Sequence, residues 1–385
     1  MTTSPMRRPH YLDHSYEARL SRKIRQWRWS HCHIDPLLFT GLLALSGLGL
    51  FNLYSASNQH LLLVKHQILH YFLAFVVLLS CSQIPPRYFK TAAPWLYCLG
   101  LLLLLLVLFV GHTSQGATRW VGYGAVQIQP SEIMKLAMPM MLAWLWQEHE
   151  RWSPLHKVSL SAIILLVPTL LIAKQPDLGT AILIASAGSF VILLGGLDRK
   201  IILFGVLAAL ITTPILWHTL HDYQKQRIET FLHPEKDPLG TGYNIIQSKI
   251  AVGSGGFTGK GWLQGTQSHL SFLPAHTTDF IFSVAAEEWG LIGCCLLLGI
   301  YSFIFLRCAS MSIQAQSTFT RLLAGSLSLT FMTCACINIG MVIGILPVVG
   351  VPLPLVSYGG SSMITTMMAF GIIMSIQTHK KLWSS

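Results

Sequence analysis

Charge is scarce in this chain. Only 11% of its 385 residues are Asp, Glu, Lys or Arg, and just 15 are acidic. An ordinary soluble domain carries about 25%, so a soluble enzyme and a disordered chain are both excluded. Cysteine pairing is missing too. Cys32, Cys81, Cys98, Cys294, Cys295, Cys308, Cys334 and Cys336 form no CxxC pair and no zinc-spaced set with histidine. That excludes a disulfide scaffold and a zinc module, and leaves small packing residues of apolar segments. Nor does a cleavage site of small residues follow the first apolar run, which is too long for a signal peptide.

What is present is apolar surface. Apolar residues make up 52% of the chain and the mean hydropathy is +0.55, which points to a multi-pass membrane protein. A spanning helix needs about 20 mostly apolar residues. Ten runs qualify: 37–57, 66–84, 94–111, 131–147, 158–174, 177–196, 200–218, 279–305, 321–345 and 357–377. The expected fold is an all-α polytopic bundle of ten helices.

Direction follows from Lys and Arg in the short loops. With the N-terminus cytoplasmic, the inner side collects Arg7, Arg8, Arg19, Arg22, Lys23, Arg25 and Arg28 of the tail. It also collects Arg87, Lys90, Arg151, Lys157, Arg199, Lys200, Arg307, Arg321, Lys380 and Lys381. Most of the remaining cations lie in one long loop, where the rule counts for little. The net charge of +11 therefore marks contact with anionic headgroups, and no nucleic-acid partner is expected. The organisation is a basic cytoplasmic tail (1–36), seven spans (37–218), an extracytoplasmic loop between helices 7 and 8 (219–278), three spans (279–377) and a cytoplasmic C-terminus (378–385). A loop of that length is uncommon unless functional, so the chemistry is expected on the outer side.

Four outer segments carry candidate residues. In the first, Pro130-Ser131 starts a helix with Ser131 as N-cap. Glu132 and Lys135, three apart, share its face. An exposed pair there is worth little, whereas a pair entering an apolar helix shapes a polar cavity. In the second, Asp177 follows Pro176 near a helix N-terminus, where the dipole favours a carboxylate; a cap and a site role both stay open. In the long loop, Gly253–Gly261 invites a phosphate-loop reading that fails, because Ser254 and Gly261 stand where GxxxxGK[ST] needs Gly and Ser or Thr. A looser backbone nest for pyrophosphate remains. Before it, Tyr243, Ile246 and Ile250 share a helical face, as on a helix lying along the membrane surface.

The most telling position is Asp279, which opens span eight at the outer interface. A helix cap explains it alone. Glu287, eight residues deeper on roughly the same side, suggests a polar path, and a desolvated carboxylate there is a capable base. Glu288 lies nearly opposite and is expected to pair with another helix. Finally, Pro347, Pro352 and Pro354, with Gly359-Gly360, break the chain at membrane depth. Irregular backbone is tolerated there only when buried or lining a cavity.

Together these residues resemble the SEDS family (shape, elongation, division and sporulation). The resemblance rests on Gln129–Glu132, Gln175–Thr180, Tyr243–Gly256, Thr278–Phe282 and Pro352–Ser361, and covers nearly the whole chain after the tail. Gly259-Lys260-Gly261-Trp262 followed by Gly265–Ser268 favours its elongation branch. The family commonly has Glu and His where this chain has Ala275 and Thr277.

The resemblance implies a peptidoglycan glycosyltransferase that polymerises lipid II at the outer face of the bacterial inner membrane. Its partners would be a class B penicillin-binding protein and other elongation-complex membrane proteins. It implies Asp279 as the catalytic residue. Arg119, Glu132, Lys135, Asp177, Lys260, Ser357 and Ser361 would bind substrate. No cofactor is implied beyond room for a divalent cation at the pyrophosphate. A flippase of lipid-linked precursors, or a scaffold activating its partner, are the other classes the residues leave open.

Overall fold

The structure is a computed structural model. It describes residues 33–379 except 111, 115–116, 124–125, most of 198–240, and 267–274. Ten helices of 14 or more residues and three short strands are described. The helices are α1 (Pro36–Ala56), α2 (Leu61–Gln83), α3 (Pro86–Val110), α4 (Pro130–Glu148), α5 (Pro154–Lys174), α6 (Leu178–Leu194), α7 (Thr241–Ser254), α8 (Ile281–Ile313), α9 (Thr318–Val342) and α10 (Ser361–Thr378).

Seven of them, α1, α2, α3, α5, α8, α9 and α10, are long and apolar enough to cross a bilayer. The chain is a multi-pass membrane protein. The other two helices at expected spans depart for physical reasons. Helix α4 is almost wholly buried against protein, from Met134 to Trp146, so it needs no lipid-facing leucine coat. Helix α6 has 17 residues, roughly 26 Å at 1.5 Å per residue, just short of a hydrocarbon core of about 30 Å. The expected seventh span, 200–218, lies almost entirely outside the described residues.

The helices pair closely as α2 with α10, α8 with α9 and α3 with α4, while α4, α6 and α9 meet in the middle. The core runs through them in one cluster that includes Leu42, Leu78, Met138, Ile184, Tyr301, Leu323 and Phe370.

The all-α expectation needs correction. Between α3 and α4 lies a three-stranded antiparallel sheet: β1 (His112–Ser114), β2 (Ala117–Tyr123) and β3 (Val126–Ile128). Val121 pairs with Ile128 and Tyr123 with Val126. The segment is rich in Thr, Val and aromatics and too short of apolar length to enter a span, so a hairpin is its natural state. This end of the bundle is called the sheet end below. The helix start also moves: Gln129 is the N-cap of α4 and Pro130 its first residue, where the fixed φ of proline fits best.

Candidate functional site

Four chain segments converge at the sheet end. Lys135 Nζ lies 2.7 Å from Glu132 Oε1, and both side chains are largely buried. One step away, Gln129 Nε2 reaches Asp177 Oδ2 at 3.5 Å. Asp177 caps α6, accepting from Thr180 N at 3.3 Å and Thr180 Oγ1 at 2.8 Å. The cap and the site role are thus compatible. Helix α6 then abuts the broken segment after α9: a Cβ on Gly179 would fall 2.5 Å from the Val349 carbonyl. Beyond it, Gly350 adopts φ +70° beside Asp279, whose Oδ2 would sit in ordinary contact, 3.6 Å from a Cβ there.

Asp279 is half-buried in the turn 275–280 that leads into α8. Its backbone is pinned from two sides. Asn338 of α9, fully buried, donates from Nδ2 to the carbonyls of Asp279 (2.8 Å) and Val351 (2.7 Å). Ser357 Oγ donates to the neighbouring Thr278 carbonyl at 2.6 Å and accepts from Leu353 N at 2.8 Å. Tyr358 N donates to Thr277 O at 2.9 Å.

The irregular segment itself is supported group by group. Its carbonyls accept from side chains of three helices: Pro352 from Cys334 of α9, Pro354 from Tyr301 of α8, and Leu355 and Ser357 from Tyr71 and Gln67 of α2. Each unmet carbonyl in this setting would cost several kcal/mol. Buried Gln67, Tyr71, Tyr301 and Asn338 are therefore what allow non-helical backbone at this depth. These residues escaped the sequence reading. Their signal was present as amides and phenols inside apolar helices, but nothing local told their partners.

Lys135 also lines a small cavity of about 60 Å³ with Cys334, Thr330, Pro354, Thr365 and Thr366. Lys135 thus faces the interior between α4, α9 and α10. Arg119 lies in strand β2, the strand that leads by way of β3 to α4. Ser361 is the first residue of α10 and its carbonyl accepts from Thr365. Ser357, expected on the substrate, instead holds the Asp279 turn.

Lys260 and the glycine-rich run are also placed differently from expectation. Lys260 Nζ pairs at 2.7 Å with Glu287 Oε1, a fully buried carboxylate. Thr266 adds its N at 2.8 Å and its Oγ1 at 3.0 Å. The polar path from Asp279 to Glu287 is therefore occupied by this pair. Glu288 points elsewhere and accepts from Ser55 of α1.

The backbone nest is likewise occupied. Helix α8 breaks at Gly290 (φ +63°), and residues 256–261 fill the break. Lys260 N and Gly261 N donate to the carbonyls of Glu287 and Glu288, both at 3.0 Å, while Leu291 N donates to Gly256 O at 3.0 Å. Glycine is required on both sides: a Cβ on Gly259 would fall 2.0 Å from Glu288 O, and one on Gly290 2.3 Å from Gly259 N. The preceding helix α7 buries Ile245, Ser248 and Ala251 against α8 and α9. Tyr243 and Ile246 stay partly exposed and Ile250 is exposed.

The chain can be set beside known proteins at this point. Residues 30–382 match the family described as Cell cycle protein, FTSW_RODA_SPOVE. The peptidoglycan glycosyltransferase MrdB of Escherichia coli is 48% identical over 357 residues, covering 92% of this chain and 96% of that protein. The peptidoglycan glycosyltransferase RodA of Treponema pallidum is 31% identical, over 90% and 98%. Among solved structures, a chain from a study of how a peptidoglycan synthase complex coordinates polymerization and crosslinking superposes with a TM-score of 0.79 at 32% identity, over 90% of this chain and 99% of that one. The rod shape determining protein RodA of Thermus thermophilus gives 0.69 at 27% identity, over 90% and 98%. The chain belongs to the SEDS family of membrane proteins, among relatives named MrdB and RodA.

Proposed function

We infer that this protein is a peptidoglycan glycosyltransferase that polymerises lipid II into β-1,4 glycan at the outer face of the bacterial cytoplasmic membrane. The sheet end is the outer end, both termini are cytoplasmic, and the chain crosses the bilayer ten times. One observation carries the reading. Buried polar side chains hold a broken segment and the adjoining turn at membrane depth, and what they present is one half-exposed carboxylate, Asp279.

The chemistry asks for such a group. A sugar hydroxyl attacks the anomeric carbon of a lipid-linked disaccharide. Its proton passes to the Asp279 carboxylate as the new C–O bond forms, and the bond to the lipid pyrophosphate breaks. A positioned base contributes roughly 10²–10⁴-fold. The leaving pyrophosphate needs positive charge. Lys135, held by Glu132 on one side and facing the interior on the other, supplies it, with Arg119 of β2 as second cation. A divalent cation at the pyrophosphate would supply further positive charge. Lipid substrates enter sideways from the bilayer, which suits an enzyme made almost wholly of spans. The partner is a class B penicillin-binding protein that crosslinks the product.

Reconstitution of the purified chain with such a partner on lipid II tests the reading. Glycan polymer with inversion at the anomeric carbon is expected. Transbilayer movement of lipid II without polymer would favour a flippase, and a partner stimulated by an inert chain would favour a scaffold.

A further inference from the structure

A second cavity opens at the end of the bundle opposite Asp279. It measures about 330 Å³ and lies between the α2–α3 turn, the α8–α9 turn and the last turn of α10. Its lining combines Arg87, Gln316, Ser317, Thr320 and His379 with the apolar Pro86 and Ile376. Among the described residues no carboxylate is in the lining. Among the described residues the acids near this end are paired: Asp35 with Arg307, Glu148 with Lys90 at 2.6 Å, and Glu150 with Thr318 in the first turn of α9 at 3.0 Å.

The polar wall is built in place. Ser317 and Thr320 form a reciprocal cap that fixes the start of the 25-residue α9 there. His379 is stacked on His33 with ring centroids 3.9 Å apart and planes 4° apart, and its Nδ1 lies 3.1 Å from the Ser375 carbonyl. Arg87 adds a fixed charge with a fork of donors that suits phosphate oxygens.

A guanidinium and hydroxyls together with apolar side chains suit a phosphodiester that carries acyl chains. Basic pockets between helices on the cytoplasmic side bind anionic headgroups in this way. We propose that this cavity binds the phosphodiester headgroup of an anionic phospholipid of the inner leaflet. Placing it in that leaflet rests on the orientation given above. The site has a structural consequence. It sits at the far ends of α2 and α10, the two closely packed helices whose other halves carry Gln67 and Tyr71 and begin at Ser361. A headgroup there braces the pair that supports the Asp279 segment.

The test uses the full chain, delipidated in phosphatidylcholine micelles and titrated with phosphatidylglycerol under native mass spectrometry. Wild type should retain phosphatidylglycerol in clear preference to phosphatidylcholine. Arg87→Gln should lower that retention about fivefold, the effect of one cation near a headgroup, and Arg87→Lys should keep most of it. Arg321→Gln, an exposed cation outside the cavity, should leave it unchanged. Equal retention of the two lipids, or an equal loss with Arg321→Gln, would overturn the site. Displacement by millimolar inorganic phosphate would make it a soluble-anion site and overturn the lipid assignment. These binding readouts do not depend on turnover, so polymerisation measured on the same preparations tests the glycosyltransferase reading separately.

Discussion

Asn338 and Asp279 are joined by one hydrogen bond that side-chain chemistry alone would not suggest. The amide of Asn338 donates not to the carboxylate but to the backbone carbonyl of Asp279, and the same nitrogen also holds Val351. A single buried amide thereby ties the start of α8 to the broken segment before α10. Asp279 is positioned through its backbone.

Asn338→Leu should therefore impair activity without touching substrate. Two buried carbonyls lose their donor, at about 1–3 kcal/mol each. Thermal unfolding in detergent should fall measurably, and kcat should fall more than the apparent affinity for lipid II changes. Asn338→Asp should be no better, since a carboxylate cannot donate. Unchanged kcat in a folded Asn338→Leu protein would show that the turn holds itself.

The pairing of residues 256–261 with the break in α8 makes a steric prediction. Gly259→Ala places a methyl 2.0 Å from the Glu288 carbonyl in a left-handed backbone conformation (φ +81°). It should prevent stable folding, read as loss of monodisperse protein. Gly253→Ala, with nothing within 4 Å of its added Cβ, should be tolerated.

Lys260 and Glu287 should behave as a structural pair. Lys260→Met leaves a fully buried carboxylate without its cation, which costs about 3–5 kcal/mol. Lys260→Met with Glu287→Gln should recover much of that loss. Stability curves of the two variants check this. If instead Lys260→Met raised KM for lipid II at wild-type stability, Lys260 would be a substrate ligand.

Glu132 and Lys135 should be coupled in function. Each single change to Ala strands a charge in a largely buried site and should impair polymerisation. The double change should be less damaging than the two losses added together. Additive losses in the polymerisation rate would separate the two residues.

How much of this was legible beforehand depends on how local each signal is. Seven of the ten expected spans read directly from apolar length. The Glu132–Lys135 pair read from a spacing of three on one helix, and Asp177 from its place after Pro176. The sheet was hidden because His112–Ile128 is bounded on both sides by helices and its alternation is short. The roles of Lys260, Ser357 and the glycines were hidden because their partners lie 27, 79 and about 30 residues away. A glycine-rich run reads the same whether its amides face a phosphate or a broken helix. Ala275 and Thr277, which depart from the family pattern, lie in the turn that Ser357 and Tyr358 secure, and Ala275 adopts φ +55°. Their carbonyls do the work there: Ala275 O accepts from Phe280 N at 3.2 Å and Thr277 O from Tyr358 N at 2.9 Å.

The central claim is that the Asp279 carboxylate is the base, and Asp279→Asn measures it most directly. The substitution keeps the size and the backbone carbonyl that Asn338 holds, so folding, membrane insertion and partner binding should persist. It removes the basic site, so polymerisation of lipid II by the reconstituted protein should fall by at least about 10²-fold. Asp279→Glu keeps the base but moves it by about 1 Å, a displacement that itself can cost on the order of 10²-fold, so it should be poor as well. Asp279→Asn protein that is folded, partner-bound and polymerises lipid II at a near wild-type rate would contradict the account.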